Sequence, residues 1–450
     1  MSIHFIGIGG AGMSVIAELF LAQGREVSGS DAKDSDVMAR LRGLGARVHV
    51  GHEASQVEGA ELVVVSTAVR GTNVELVRSR ELGLEVIHRS QALALAAGER
   101  DLVAVAGAHG KTTTSAMLAI ALRAAGADPS YAIGGRVLAL GTGAHLGAGS
   151  VLVAEADESD GSFLNYAPRI AVVTNIEPDH LDHYGTEAAV HEAFEAFARR
   201  VVPGGLVVAC ADDDGARRLA QNAAARGTRV QTYGVDSGDV RIRLKHLGAG
   251  SSSAEIGSAL GTVELDLAVP GAHNVLNATA AWCAGVELGI DPAAMAAALG
   301  EFTGTARRFE ERGEVAGVRV VDDYAHHPTE VRALMRTARR AVGQGRVIVL
   351  FQPHLFSRTE AFAADFADAL EPADEVVLTA IYAAREDPRP GVTSELVTSR
   401  LPGARYVPDA EEAARTVADL ARPGDLVLTV GAGDVTALGA VVLARLGERS

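Results

Sequence analysis

The chain has 450 residues, of which 48% are apolar, and a formal net charge of −16 at pH 7. This length exceeds one ordinary hydrophobic core, so typical domain sizes predict roughly three domains. The acidic balance excludes a nucleic-acid backbone binder, which needs clustered Lys and Arg. The two cysteines, Cys210 and Cys283, lie far apart without metal-type spacing, and we expect buried thiols rather than a disulfide.

Short Val- and Ile-rich segments alternate with helical patterns along the chain, which predicts βαβ units and parallel sheets of an α/β protein. We predict three domains in series. They are a Rossmann-like N-terminal domain at residues 1–97, a central domain at 98–304 with a phosphate-binding loop and a mostly parallel sheet, and a Rossmann-like C-terminal domain at 305–450. Residues 236–270, which are polar and rich in Gly and Ser, are expected to form a small antiparallel appendage or an exposed hairpin.

The N-terminal segment enters a strand directly and shows no leader pattern, and no apolar run approaches the length of a membrane span. We therefore expect a cytoplasmic protein without membrane insertion. The first strand is followed by the turn GIGGAGMS, residues 7–14, and Asp31 follows the second strand. This pattern is typical of a dinucleotide-binding turn, although an NAD site and a site for another phosphorylated ligand both fit it.

The strongest motif is LVAVAGAHGKTTTSAMLAIAL, residues 102–122, a strand, a glycine-bearing turn and a helix. The common P-loop would place its first glycine at Val105, so the pattern here is G-x-x-G-K-T-T from Gly107. Backbone N–H groups at such a helix start bind phosphate, Lys111 would reach the terminal phosphates and Thr112 would ligate Mg²⁺. The alternative is an ordinary strand-to-helix turn with an exposed lysine.

Two acidic segments follow strands of the same domain. The first, EADESD at residues 155–160, follows the strand VLVA, and the second, NIEPDHLDH at residues 175–183, follows IAVVT. Four clustered acids raise one another's pKa unless a cation is present, so we predict Mg²⁺ at Glu155 rather than a solvated acidic loop. We expect His180 to share that ion, while Thr112 holds another.

Three further groups of polar residues remain ambiguous. Asn274 and Asn277 lie one helical turn apart, which suits recognition of a purine edge, although Asn274 capping the helix is an equal alternative. Arg307, Arg308 and the segment DDYAHHP, residues 322–328, flank what we interpret as a single strand. The arginines suit a phosphate or carboxylate, but an exposed charged hairpin also fits them. Of the two consecutive histidines before Pro328, only one is expected to face a cleft.

Ten motifs in this order resemble the Mur ligase family, the ATP-dependent enzymes that build the peptide of the bacterial cell-wall precursor. The motifs are GIGGAGMS, GAHGKTTT, EADESDGSF, NIEPDHLDHYG, HNVLNA, RRFE, DDYAHHPTE, FQPHLFSRT, YAAREDPRPGV and GAGDV. They extend from the first residues to about residue 435 and are far more specific together than any one alone.

The resemblance implies a role for each matching residue. The first domain would bind the UDP-sugar, through Gly9, Gly10, Ala11, Gly12, Met13, Ser14, Asp31 and Ser66. The ATP-binding residues would be Gly107, Ala108, His109, Gly110, Lys111, Thr112, Thr113, Asn274, Asn277 and Asp323. Thr112, Glu155 and His180 would ligate Mg²⁺, Tyr324 and His326 would bind the amino acid, and Lys111, Arg308 and His326 would be catalytic.

The implied reaction is ATP-dependent ligation of L-alanine to the lactyl carboxylate of UDP-N-acetylmuramate through an acyl phosphate, in a monomer or weak homodimer. The rivals are a ligase that attaches a recycled tripeptide to the same sugar, a silent nucleotide-binding partner and an NAD-dependent dehydrogenase. Three positions depart from the family pattern: Ala108 replaces the usual threonine, and Ala272 and Leu355 each replace an arginine.

Overall fold

The computed structural model describes residues 1–384 and 386–449, without the side chains of Leu181 and Asp182. The chain divides into two compact units. The first contains Met1–Leu244, Ser253–Leu267 and Val275–Thr303, and the second contains Lys245–Ser252, Ala268–Asn274 and the chain from Gly304 onward. None of the described helices is both long and apolar enough to cross a membrane.

The N-terminal sheet has five strands in the order β3-β2-β1-β4-β5, all parallel. The strands are β1 (Ser2–Ile6), β2 (Glu26–Asp31), β3 (Arg47–Val50), β4 (Leu62–Val65) and β5 (Glu85–His88). The helices are α1 (Ala11–Ala22), α2 (Asp36–Gly43), α3 (Val74–Glu81) and α4 (Arg89–Ala97), with a 3₁₀ turn at Ala54–Val57. The predicted Rossmann-like arrangement is confirmed, and it brings the glycine turn, Asp31 and Ser66 to the carboxyl ends of β1, β2 and β4.

The central sheet has ten strands in the order β15-β14-β13-β12-β11-β10-β6-β9-β7-β8. The strands are β6 (Asp101–Ala106), β7 (Ser130–Ala132), β8 (Ala144–His145), β9 (Val151–Glu155), β10 (Ile170–Val173), β11 (Leu206–Cys210), β12 (Arg229–Gly234), β13 (Val240–Leu247), β14 (Ser252–Ser258) and β15 (Gly261–Leu267). The helices are α5 (Lys111–Ala124), α6 (Leu181–Tyr184), α7 (Glu187–Ala198), α8 (Asp214–Ala225), α9 (Ala272–Glu287) and α10 (Pro292–Leu299), with a 3₁₀ turn at Ser162–Asn165.

The middle of this sheet is parallel and positions the polar loops. Strand β6 lies between β9 and β10, and both pairs are parallel. The phosphate loop after β6 is therefore flanked by the acidic loop after β9 and the His180 loop after β10. Four residues join β13 to β14, and two join β14 to β15. Connections this short join antiparallel strands, because parallel strands need a crossover of a dozen or more residues. Residues 236–270 thus form the expected antiparallel appendage, which continues the edge of the sheet.

The C-terminal sheet has six strands in the order β16-β17-β21-β18-β19-β20. The strands are β16 (Glu310–Val315), β17 (Val318–Asp323), β18 (Val347–Phe351), β19 (Glu375–Leu378), β20 (Arg405–Tyr406) and β21 (Leu426–Val430). The helices are α11 (Pro328–Val342), α12 (Phe356–Leu370), α13 (Glu395–Thr398), α14 (Ala410–Leu420) and α15 (Leu438–Arg449), with a 3₁₀ turn at Asp434–Ala437. Only the β16–β17 pair is antiparallel.

The single strand expected between Arg308 and Asp322 is wrong. The segment folds as a hairpin, because Ala316 and Gly317 both adopt positive φ and reverse the chain. Strand β16 is a charged edge strand, which the alternating apolar pattern does not mark. Cys210 and Cys283 are buried and unpaired, as expected. The domain boundaries at residues 97 and 304 stay a prediction.

Candidate active site

The phosphate loop joins β6 to α5, and Lys111 is the first residue of the helix. Gly110 adopts φ +86°, and a Cβ there would lie 2.6 Å from Oδ1 of Asn277. Gly107 adopts φ +136°, and its Cβ would lie 2.1 Å from Oγ1 of Thr174. Both glycines are required because other side chains occupy the space that a Cβ would need. The alternative of an ordinary turn with an exposed lysine is wrong, since the side chain of Lys111 is only 17% exposed.

Lys111 is held by its own loop and by a carboxylate. Its Nζ donates to the backbone oxygen of Gly107 at 2.6 Å and to Oε1 of Glu158 at 2.8 Å. Burial would lower the pKa of Lys111, but the carboxylates of Glu158, Asp157 and Glu155 raise it above its ordinary value. A polyphosphate that displaced Glu158 would therefore meet a fully charged ammonium group.

Glu158 is a candidate site residue that the sequence motifs did not single out. It is 2% exposed, and its Oε2 is buried without a hydrogen-bond partner among the residues that the structure describes. Burial raises the pKa of Glu158 to about 7, despite the opposing charge of Lys111. A titratable group with an unmet hydrogen-bonding capacity beside a phosphate loop is typical of a functional site.

Thr112 and Glu155 lie together, as a shared cation site requires. Thr112 Oγ1 donates to Glu155 Oε2 at 3.2 Å, and the N–H of Gly134 donates to Glu155 Oε1 at 2.8 Å. A hydroxyl and a carboxylate are oxygen donors of the kind that Mg²⁺ prefers. The donor set fits Mg²⁺, and its proximity favours one ion between Thr112 and Glu155 over the separate ions that we expected.

His180 lies in the loop after β10, with a φ of +55° that few residues other than glycine adopt. Its Nε2 lies 3.7 Å from Oε1 of Glu158 and 3.6 Å from Oδ2 of Asp179. The strained backbone therefore places the imidazole at the carboxylate that pairs with Lys111. Asp182, the third acid of this loop, has its side chain outside the described part of the structure.

The rest of the phosphate loop is held by the side chains of Thr174 and Asn175, which directly follow β10. The N–H of His109 donates to Oδ1 of Asn175 at 2.9 Å, and its carbonyl accepts from Oγ1 of Thr174 at 2.6 Å. Thr113 is buried in the first turn of α5. Ala108, the first departure from the family pattern, contributes its backbone oxygen, 3.4 Å from Nζ of Lys111.

Asp157 and Asp160, two further acids of EADESD, pair with Arg89. Arg89 Nη2 lies 2.6 Å from Oδ2 of Asp157 and 3.6 Å from Oδ2 of Asp160. Burial would raise the pKa of Asp157, but Arg89 and Lys111 hold it well below its ordinary value. Arg89 thus supplies the positive charge that Asp157 and Asp160 face, whereas Mg²⁺ at Glu155 stays a prediction. In the sequence, the position of Arg89 directly after β5 is the feature that could have indicated this role.

The N-terminal glycine turn is held by Asp31. The N–H of Gly9 donates to Oδ2 of Asp31 at 3.0 Å. A Cβ at Gly12 would lie 3.2 Å from Nη1 of Arg89, so that glycine lets the guanidinium approach the turn. The helix α1 begins at Ala11, with Gly10 as its N-cap.

Met13 and Ser14, two predicted ligand contacts of this turn, lie in the first turns of α1. The side chains of Met13 and Ser14 are buried in α1, and the Ser14 hydroxyl donates to the carbonyl of Ala11 at 3.2 Å. In this structure both side chains are packed within the fold, and their contact with a ligand stays a prediction. Ser66 is half-buried directly after β4, and its carbonyl accepts the N–H of Val69 at 3.0 Å.

Asn274 and Asn277 differ in their surroundings, although both lie in α9. Asn274 Nδ2 donates to the carbonyl of Pro270 at 2.7 Å, which ties the start of the helix. Asn277 is 9% exposed and lies against Gly110 of the phosphate loop. Asn274 does not cap α9, because it lies inside the helix and its side chain donates a hydrogen bond instead of accepting one. Asn277, which lies against the phosphate loop, is the stronger candidate for nucleotide contact. Ala272 is the first residue of α9.

In the C-terminal unit, Asp323 organises the residues that follow β17. Its two carboxylate oxygens accept the N–H groups of Phe309 and Ala325, both at 2.8 Å. Burial raises the pKa of Asp323 to about 6, despite the nearby charge of Arg308. Arg307 and Arg308 lie over the ring of Tyr324, with Cζ at 4.8 and 5.0 Å from its centroid.

The two consecutive histidines have different roles, as expected. His327 is buried and caps α11 together with Glu330. His326 contacts the ring of Tyr324 at a centroid distance of 5.2 Å and the ring of His354 at 5.8 Å. Tyr324 and His326 thus lie together, as their shared predicted role requires.

His354, Tyr382 and Arg358 form a second cluster, which the sequence motifs did not single out. The His354 ring stacks on Tyr382 at 5.8 Å, and its Nδ1 lies 3.2 Å from Nη1 of Arg358. Leu355, the family departure, is 3% exposed at the start of α12, so its side chain packs inward. In the motif YAAREDPRPGV, Arg385 lies outside the described residues.

Comparison with known proteins agrees with this geometry. Residues 2–100 match the Mur ligase family catalytic domain, 105–285 the Mur ligase middle domain, and 307–433 the Mur ligase glutamate ligase domain. The chain is 56% identical to UDP-N-acetylmuramate–L-alanine ligase of Kineococcus radiotolerans over 455 residues, which cover 99% of this chain and 96% of the relative. It is also 56% identical to the ligase of the same name from Renibacterium salmoninarum, covering 98% of this chain and 95% of that one.

Solved structures extend the likeness to the whole fold. The UDP-N-acetylmuramate-alanine ligase of Thermotoga maritima superimposes with a TM-score of 0.84 at 31% identity, covering 100% of both chains. A murein peptide ligase of Psychrobacter arcticus superimposes with a TM-score of 0.73 at 25% identity, covering 99% of both chains. Matched domains, full-length identity and the geometry of the phosphate loop agree, and the chain belongs to the Mur ligase family.

Proposed function

We propose that this protein joins L-alanine to the lactyl carboxylate of UDP-N-acetylmuramate, at the expense of ATP. The products are UDP-N-acetylmuramoyl-L-alanine, ADP and phosphate, in the synthesis of the peptidoglycan precursor. The observation that carries the proposal is the half-buried group of Lys111, Thr112 and Glu155, in a chain that is 56% identical along nearly its full length to ligases of that name.

The chemistry begins with activation of a poor electrophile. The substrate carboxylate attacks the γ-phosphate of ATP in line, which gives an acyl phosphate and ADP. The amine of L-alanine then attacks the acyl carbon, so that the C–N bond forms, phosphate leaves and the amine loses a proton. His326 is our candidate for accepting that proton, since a neutral imidazole is a suitable base near pH 7.

Lys111 stabilises the charge on the transferring phosphoryl group, a task of positioning and electrostatics. When the Lys111 ammonium moves from Glu158 to the phosphate, it stays paired with a negative charge before and after the move. Thr112, Glu155 and His180 are proposed to hold Mg²⁺, which would neutralise phosphate charge when bound. Asn277 with Asn274 is proposed to contact the adenine, and Arg308 and Asp323 to contact ATP.

The N-terminal turn, residues 9–14 with Asp31 and Ser66, is proposed to bind the uridine diphosphate of the sugar. Tyr324 and His326 are proposed to bind the amino acid. We further propose the three-domain division at residues 97 and 304, action in the cytoplasm where ATP is available, and a monomer or weak homodimer.

The competing activity is addition of a peptide to the same sugar, because the Psychrobacter murein peptide ligase shares the fold over the whole chain. Phosphate release from ATP would be measured with UDP-N-acetylmuramate, with and without L-alanine, and the product identified by mass. We expect release that depends on alanine and a product heavier by one alanyl residue. Release only with the tripeptide L-alanyl-γ-D-glutamyl-meso-diaminopimelate would assign the recycling reaction, and no release with either would indicate a silent binding protein.

A further inference from the structure

The N-terminal domain contains a buried carboxylate, Glu75, that none of the roles above uses. Glu75 lies in the first turn of α3 and is 0% exposed. Its Oε2 accepts from His4 Nε2 at 2.7 Å and from the Ser30 hydroxyl at 2.8 Å, and its Oε1 accepts from His52 Nδ1 at 2.7 Å. Isolated buried carboxylates are costly, so three donors around one carboxylate indicate a built site.

The hydrogen bonds around Glu75 are those of an ionised carboxylate. His4 donates to it through Nε2, and the other ring nitrogen, Nδ1, lies 2.9 Å from the Ser28 hydroxyl. Burial would raise the pKa of Glu75, but the bonds from His4, Ser30 and His52 lower it below its ordinary value. The carboxylate is therefore ionised at neutral pH, and it accepts from all three partners at once.

Ser30 connects this carboxylate to the glycine turn. While its hydroxyl donates to Glu75, its backbone carbonyl accepts the N–H groups of Gly7 at 2.8 Å and Ile8 at 2.9 Å. The next residue, Asp31, accepts the N–H of Gly9. The Ser30–Asp31 dipeptide thus fixes three successive residues of the turn.

His52 connects Glu75 to the segment at Gly51, which contacts the backbone of Asp31. The N–H of Gly51 donates to the carbonyl of Asp31 at 2.7 Å, and His52 follows directly. Its Nδ1 also lies 3.0 Å from the Ser30 hydroxyl. The glycine turn and the segment at Gly51 therefore flank Asp31, and both are tied to the same buried carboxylate.

We propose that Glu75 is a positioning residue for the UDP site: through Ser30 and His52 it holds the glycine turn and Asp31 in the geometry that binds the nucleotide. This inference rests on the proposed function, because it assumes that the N-terminal turn binds uridine diphosphate. A site held within about half an ångström by a buried second layer binds more tightly than a loose one. Glu75 itself would not touch the ligand.

The chain offers a matched pair of variants to test this role. Ser30 and Ser28 are both buried serines of β2, and both belong to the network, but only Ser30 contacts Glu75 and the turn. Binding of UDP and of Mg²⁺ with a non-hydrolysable ATP analogue would be measured by calorimetry on the full chain. We expect Ser30→Ala to weaken UDP binding about tenfold, the loss of one hydrogen bond to a charged group, and Ser28→Ala to leave it within about twofold.

Glu75→Gln should have a larger effect on UDP, on the order of 10² in affinity, because its amide places a donor against three donors. ATP-analogue binding should stay within about twofold in every variant, whereas general loss of folding would weaken both ligands. If Glu75→Gln does not fold, the serine pair still decides the question. Equal UDP affinity for Ser30→Ala, Ser28→Ala and the unaltered protein would overturn the inference, whereas an unaltered protein that fails to bind UDP would instead overturn the proposed function.

Discussion

Two glycine turns in this protein have the same local plan and different chemistry. Each follows the first strand of its sheet, in a parallel region, and begins a helix, α1 or α5. Each is also supported by a buried glutamate, Glu75 for the N-terminal turn and Glu158 for the phosphate loop. Glu75 accepts three hydrogen bonds and its pKa is lowered, whereas Glu158 keeps one oxygen without a described partner and its pKa is raised to about 7.

This difference separates a carboxylate that holds a structure from one that changes partners. A fully satisfied carboxylate rigidifies its surroundings, and exchanging its partners would cost several hydrogen bonds. In the proposed reaction Glu158 holds Lys111 only until a phosphate takes its place, so a permanently satisfied carboxylate would oppose the reaction. The state of the buried glutamate thus distinguishes the binding turn from the reactive one.

The largest effect is expected for Lys111→Ala. Removing the charge that faces the transferring phosphoryl group should lower alanine-dependent phosphate release by at least about 10³-fold. UDP affinity should stay nearly unchanged, because Lys111 belongs to the other turn. Single-turnover kinetics and UDP calorimetry on the same preparation test both statements. Near-normal amide formation by the variant would refute the assignment of the reactive turn.

Glu155→Gln is expected to lower the rate by about 10²-fold, with partial recovery at high Mg²⁺, since one of the proposed metal ligands loses its charge. The measurement is phosphate release across a magnesium titration. The exposed Glu99→Gln, in the same unit, is the control and should behave as the unaltered protein. A magnesium midpoint that does not move in Glu155→Gln would remove this residue from the metal site.

Asp31→Ala tests the binding turn. It removes the acceptor of the Gly9 N–H and a proposed ligand contact, so UDP affinity should fall by about 10- to 100-fold, as for a lost hydrogen bond to a charged group. Affinity for the ATP analogue should not change. The exposed Asp36→Ala in α2 is the matched control. Equal losses of both nucleotides would contradict the separation of the two turns.

The pH dependence of stability distinguishes the two glutamates. Because the folded pKa of Glu158 is raised from 4.5 to about 7, this group destabilises the fold progressively as pH rises between those values. Its whole contribution is on the order of 3 kcal/mol, at about 1.4 kcal/mol for each pH unit. Relative to Glu158→Gln, the unaltered protein should therefore lose stability from pH 4.5 to 7 in the first urea transition.

Glu75 should show the opposite sign. Its folded pKa is lowered, so its stabilisation is present above the unfolded value of 4.5 and is lost as the pH falls below it. Comparison of the unaltered protein with Glu75→Gln in the same urea experiment tests this direction. Parallel pH profiles for the two glutamine variants would show that the two carboxylates do not differ as described.

Features that depend on neighbouring residues could be predicted from the sequence. The strand, turn and helix around Lys111 follow from apolar runs, two glycines and a helical period, all within 21 residues. The same reasoning correctly located the N-terminal turn and its aspartate. It missed β16, because a charged edge strand lacks the apolar alternation that marks a half-buried strand.

The sequence by itself thus determined the parallel α/β architecture, the two turns and the residue types at their edges. Only the tertiary structure decided which of these residues pair. Glu158 rather than Glu155 holds Lys111, 47 positions away, Arg89 holds Asp157 across 68 positions, and His4 holds Glu75 across 71. Such pairs depend on strand order and on how much water each carboxylate loses, and neither is encoded in local spacing.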